Sequence, residues 1–161
     1  MKWHDLQNEP CPVARGLSVI GDRWTMLILR ECFFGIRRFD RIHERLGITR
    51  HVLAGRLRKL EADGVLRREP YQERPVRYEY RLTDKGKSLY PVLVTLIDWA
   101  DAHVPAQGGS AVTLLSRETQ QAIEPKLIDA QTGGEITLGT VRAIVNERPL
   151  APTKAGTDGT N

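Results

Sequence analysis

Leu53, Leu57 and Leu60 mark one face of the stretch Arg50–Gly64, and His51, Gly55, Arg58 and Ala62 hold the opposite face. Apolar spacings of three and four predict an amphipathic helix, with one side packed on a core and the other in water. Phe39, Ile42 and Leu46 repeat in the same way within "RRFDRIHERLG" and predict a preceding helix that Gly47 stops. Ile48 and Thr49 leave only a tight link, with Thr49 a natural N-cap. Further upstream, Val13–Ile20 reads as a short helix, Pro12 suits its first turn, and Gly21-Asp22 breaks it. "RWTMLILRECFF" is apolar nearly all round, which places it at the centre of a core. Cys32, near its end, packs as a small hydrophobe.

The period changes after Gly64. "VLRREPY" and "VRYEYRLT" alternate in part, with Tyr78, Tyr80 and Leu82 on one side and Arg77, Glu79 and Arg81 on the other. They predict a hairpin turning through "QERP". "LTDKGKSLYPVLVTLIDWADAHV" then reads as a long helix capped by Thr83, with a stripe of Leu89, Leu93, Leu96, Ile97 and Ala100; Pro91 bends it or shifts its start. Past Pro105, "AQGGS" is a linker. "AVTLLS" and "AIEPKLIDA" read as strands joined by "RETQQ", "QTGGEI" as a turn, and "VRAIV" as a last strand. "APTKAGTDGTN" has the composition of a disordered tail. The chain is thus expected to be α+β: a mainly helical domain over 1–105, a small β-rich extension over 108–150, and a tail over 151–161.

Charge sharpens this picture. The 161 residues carry a net charge of +4, only a mild hint of a polyanionic partner. The stretch from Ile36 to Leu82, however, holds 13 Lys and Arg against 7 Asp and Glu, a net of +6, while the remainder has 11 against 13, a net of −2. Two helices meeting at the "GITR" corner, the second cationic over its N-terminal half, make the pattern of a helix-turn-helix with its recognition helix second. A basic hairpin directly after it is the wing of a winged helix-turn-helix. The helix would enter the major groove, and the wing would reach the backbone or the adjacent minor groove. The apolar stripe of the last long helix is core or partner surface, and the duplex-reading argument favours a partner, because two-fold proteins read two half-sites. Trp99 belongs to core or partner.

Other classes lose ground. No glycine cluster precedes a helix as a phosphate loop would, and no Gly-x-Ser-x-Gly elbow occurs. Glu61 and Asp63 read as surface charges, so the chain is not read as an enzyme. The four histidines and two cysteines show no metal-ligand spacing, and neither a metal nor another cofactor is expected. No apolar run is long enough to span a bilayer, so no membrane partner is expected, and the N-terminus lacks a signal-peptide core; the protein is expected in the cytoplasm. One rival stays open: a winged-helix protein-interaction module without DNA binding.

The order of "CPVARGLSVIGDRWTMLILREC", "RRFDRIHERLGITRHVLAGRLRKLEADGVLRR", "PVRYEYRLTDKGKSLYPVL" and "DWADAH" resembles the HxlR-type winged-helix transcription regulators, over roughly Cys11 to His103. The resemblance implies a homodimer on double-stranded operator DNA, with the terminal helices at the dimer interface. It maps Arg50, His51 and Arg58 to the recognition helix, and Arg74 and Arg77 to the wing. Gly55 departs from the polar residue usual in relatives. It implies a candidate oxidation sensor in Cys11, beside a helix N-terminus and one turn from Arg15, both of which favour a thiolate; the alternative is that Cys11 fills the dimer seam. A response to thiol oxidation or to a small effector is left open. The segment after Pro105 resembles an extension carried by a subset of the family, in some of which paired cysteines or histidines suggest metal; none follow His103 here.

Overall fold

The computed structural model describes residues 3–144. A 3-10 segment, Trp3–Asn8, leads into α1 (Pro12–Ile20), α2 (Arg23–Phe33), α3 (Phe39–Leu46) and α4 (Arg50–Ala62). The hairpin β1 (Leu66–Glu73) and β2 (Val76–Leu82) follows, then α5 (Asp84–Lys87) and α6 (Tyr90–His103). The class is α+β, as the patterning predicts; the opening 3-10 segment is an addition to it.

The α4 leucines meet the core as their spacing requires. Leu53, Leu57 and Leu60 are buried with Ile28 and Leu29 of α2, Ile42 of α3, and Val65 and Leu66 at the start of the hairpin. Each such side chain contributes roughly 1.5–3 kcal/mol by leaving water. The corner before α4 is fixed locally. Gly47 adopts the left-handed conformation, φ 61°, that ends α3, and its N–H donates to the His43 carbonyl. The Thr49 hydroxyl accepts from the Val52 amide and starts α4. Asp22 does the same for α2, accepting from the Trp24 and Thr25 amides.

One feature of α2 escapes a reading by apolar period. Glu31 is fully buried within this otherwise apolar helix. Its carboxylate accepts from Arg30 at 2.7 Å and from Arg45 of α3. The pair ties α2 to α3 by charge as well as by packing.

The hairpin is antiparallel, running from Leu66 opposite Leu82 to Glu73 opposite Val76, so the turn contracts to Arg74 and Pro75. Tyr71 is an extra residue in β1, a bulge between the Pro70–Tyr78 and Gln72–Arg77 pairs. Tyr80 and Leu82 lean on the core, as alternation predicts. The segment before α3 adds a short third rung: the Tyr80 amide donates to the Arg37 carbonyl at 2.8 Å, and Arg38 bridges Glu79. Below the hairpin, Thr83 caps α5, and Gly86 packs so closely that a Cβ there would lie 2.2 Å from the Val65 carbonyl oxygen. No larger residue fits that approach.

The single long helix expected from Asp84 onward is two helices. Pro91 has no N–H to bond back, and it is accommodated in the first turn of a new helix, α6, starting at Tyr90.

The chain divides into two compact units, with the boundary between Pro125 and Lys126. The strands expected at 111–116 and 122–130 reduce to isolated bridges. In the first unit Leu115 bridges Ala122 around a turn in which the Ser116 hydroxyl accepts from the Glu118 and Thr119 amides. In the second, Ile128 bridges Glu135 around a turn capped by Asp129, which accepts from the Gln131 amide and the Thr132 hydroxyl. Side chains that satisfy nearby backbone donors compete with extension of a ladder. The described part of the last expected strand, 141–144, is irregular. The tail expected over 151–161 lies outside the described residues.

Candidate nucleic-acid interface

The outward face of α4 carries His51 and Arg58, both exposed. Arg58 makes only a long 3.4 Å contact from Nε to the Ala54 carbonyl and no ion pair among the described residues. Between them Gly55 faces open space: a Cβ built there meets nothing within 4 Å. Nothing inside the protomer therefore requires glycine at this position.

Arg50 is placed differently from its two companions. Its guanidinium donates to Asp40 of α3 at 2.9 and 2.6 Å and lies over the Phe39 ring, 5.1 Å from the centroid. It is exposed but engaged. On the wing, Arg74 lies at the two-residue tip and Arg77 on the adjoining rung of β2, both exposed. Arg50 and Arg77 line one cleft, while His51 and Arg58 lie on the helix face beyond it and Arg74 at the tip.

The same cleft holds two arginines that the linear pattern does not single out. Arg38 stacks on Tyr71, 4.3 Å from the ring centroid, and Arg68 on Tyr78 at 4.4 Å. Both contacts depend on the hairpin register, the first on the bulge as well, and neither is visible as a periodicity. The only sequence signal was the excess of arginine from Ile36 to Leu82.

Not every cation of α4 is offered outward. Arg56 is a structural residue: its Nε and one terminal nitrogen donate to the two oxygens of Asp22, each at 2.8 Å. Burial pushes the Asp22 carboxyl up. The Arg56 guanidinium and the Trp24 and Thr25 amides outweigh that, and hold it below the ordinary aspartate value. Lys59 is tied to Asp63 at 2.7 Å.

Cys11 is exposed at the N-cap of α1, and its thiol makes no capping bond. The Arg15 guanidinium, one turn on, donates to the Glu9 and Pro10 carbonyls just before it. Cys32 is buried, and burial, with the Glu31 carboxylate adding to it, pushes its thiol up to about 12. It is an inert packing residue at neutral pH.

The HxlR-like helix-turn-helix family model matches residues 19–108, the segment that builds the corner, α4, the wing and α6. The chain belongs to the HxlR-like helix-turn-helix family. An uncharacterized HTH-type transcriptional regulator of Mycobacterium tuberculosis is 43% identical over 80% of this chain and 82% of its own length. The Bacillus subtilis regulator YvaP is 41% identical over 58% of this chain and 89% of its own. Among solved structures, PA1607, described as a transcription factor, superposes with a TM-score of 0.77 at 37% identity, covering 87% of this chain and 98% of that one. The redox regulator HypR in its reduced form gives a TM-score of 0.54 at 32% identity over 58% of this chain and 94% of that one. HypR has also been solved in its oxidized form.

Proposed function

We propose that this helix-turn-helix family member is a transcriptional regulator that binds double-stranded operator DNA as a homodimer. The observation that carries this is the cleft in which Arg50 and Arg77 meet, with His51 and Arg58 exposed on the α4 face beyond it and Arg74 exposed at the wing tip. In this reading α4 enters the major groove, where His51 and Arg58 reach base edges. Arg74 and Arg77 meet the backbone flanking the adjacent minor groove. Arg50, held by Asp40, serves the backbone instead of the bases. Such a protein performs no chemistry on its ligand and works where the chromosome is, in the cytoplasm. No helix among the described residues is long and apolar enough to cross a membrane.

The dimer reading rests on α6 and α1. Val92, Leu96 and Trp99 on one face of α6, and Val13 and Leu17 on one face of α1, are exposed apolar side chains, and both helices pack on α2. Clustered exposed hydrophobics mark an interaction surface.

Base reading is testable once fragments selected from the source genome define the operator. His51→Ala and Arg58→Ala should each cost about 1–3 kcal/mol on the operator and relax preference at defined positions. Arg74→Ala should weaken all sequences almost equally and lower the salt slope by about one. Uniform losses from all three variants across operator mutants would remove His51 and Arg58 from the reading role.

The thiol response is proposed at Cys11, with support from its exposure and from the likeness to a redox regulator. Peroxide converts the Cys11 thiolate to a sulfenic acid with release of hydroxide, and a second thiol condenses with it to a disulfide with release of water. Mild peroxide should lower operator affinity of the wild type, reductant should restore it, and Cys11→Ser should not respond. Equal behaviour of the two proteins under every treatment would leave Cys11 as a packing residue.

A further inference from the structure

We propose that the cleft between the start of α3, the first turn of α4 and the wing is a clamp for the DNA backbone, with Arg38 and Arg68 as its anchors. The proposal rests on the DNA-binding reading above and adds a site to it.

The cleft has a volume of about 400 Å³, and Arg38, Arg50, Arg68 and Arg77 line it against a single carboxylate, Asp40. Four like charges around one opening repel each other unless something neutralises or holds them. Here aromatic faces hold three of them: Arg38 lies over Tyr71, Arg68 over Tyr78, and Arg50 over Phe39. Stacking fixes the plane of a guanidinium and leaves its N–H edges free to donate, the geometry suited to phosphate oxygens. Of the four, only Arg50 is closely paired with a carboxylate, that of Asp40. Arg38 and Arg77 make no ion pair among the described residues, and Arg68 approaches Glu61 only at 3.8 Å.

The arrangement is built from the backbone up. Arg38 is pinned beside β2 through its bridge to Glu79. Its stacking partner, Tyr71, is the extra residue of the β1 bulge, and a bulge re-aims a side chain out of the alternating pattern. Removing the bulge would move Tyr71 away from Arg38.

The position of the cleft identifies its ligand. A helix in the major groove and a wing in the adjoining minor groove have one sugar–phosphate strand between them. That strand must cross the gap between α4 and the wing, and the gap is this cleft. Arg50 in the free protein is held by Asp40; a phosphate entering the cleft competes for the same guanidinium. Asp40 thus opposes backbone binding of any sequence and restrains non-specific affinity.

The experiment uses the full chain and a random-sequence duplex, titrated over a range of salt, followed by phosphate-ethylation interference on the operator. Arg38→Ala and Arg68→Ala should each lower the salt slope by about one unit and abolish interference at the backbone positions between the major-groove and minor-groove contacts, leaving other positions unchanged. Tyr71→Leu should weaken binding with the charge intact, while Asp40→Asn should tighten binding to random duplex. Thermal melts of each variant identify any loss due to unfolding, and Arg38→Lys, which keeps the charge but not the planar fork, should recover the slope without full affinity. Wild-type slopes and interference patterns in folded Arg38→Ala and Arg68→Ala would overturn the clamp while leaving DNA binding in place. A wild type with no duplex affinity at low salt would instead overturn the reading on which the clamp rests.

Discussion

Replacing Leu96 and Trp99 with Asp should give a folded monomer whose operator affinity falls by roughly 100-fold or more, because the second half-site is then bound only from solution. Both side chains lie on α6 and are exposed in the protomer, Leu96 to 46% and Trp99 to 56%. Charge at these positions therefore costs the fold little and opposes apolar association strongly. Leu93, on the same stripe, is only 4% exposed and packs inside the protomer, so a charge there reports on folding. The stripe read from sequence thus separates into a core side and an outward side. Light scattering, a thermal melt and an operator titration on one preparation decide the matter. A double variant that stays dimeric, or a monomer that binds the operator as well as the wild type, contradicts the assignment of α6.

The second large effect concerns the buried carboxylate of α2. Arg45→Leu should destabilise the domain by about 3 kcal/mol, since Glu31 loses one of its two cations while remaining out of water. Retention of Arg30 places the loss at the low end of the range for breaking a buried pair. The expected fall in Tm is roughly 10 °C. Adding Glu31→Leu to that variant should recover much of the loss, because an apolar pair of similar volume removes the desolvation penalty. Melts of the two single variants and the double variant measure the coupling. Equal stability of Arg45→Leu and wild type would show that Arg30 alone satisfies the carboxylate.

The parts of this molecule that were legible in the sequence are those governed by local rules. Gly47, Thr49 and Gly64 punctuate α3 and α4 because helix ends have strong residue preferences, and the leucines at 53, 57 and 60 specify the buried face by period alone. Contacts between distant segments were not legible. The Asp40–Arg50 pair needs the angle between α3 and α4. The Arg38–Tyr71 stack needs the β1–β2 register, the bulge and the added rung at Arg38. Nothing in the apolar pattern of α2 marks Glu31 as buried, because its cation Arg45 comes from α3. Pro91 signalled a disturbance, but whether it kinked one helix or started another depended on how α6 packs against α2. In the extension, apolar runs suggested strands, and the turn side chains Ser116 and Asp129 won the local competition for backbone donors.

Duplex DNA is the proposed ligand of the surface that α4 and the wing form. Titrating the wild-type protein with random-sequence duplex at increasing salt tests this most directly, since each phosphate contact contributes a slope of roughly −0.9 to the logarithm of affinity against the logarithm of salt. Binding should be measurable at low salt and fall linearly and steeply on these axes, with the slope reduced in Arg74→Ala. No duplex affinity at any salt concentration would contradict this assignment and leave the winged domain as a protein-interaction module.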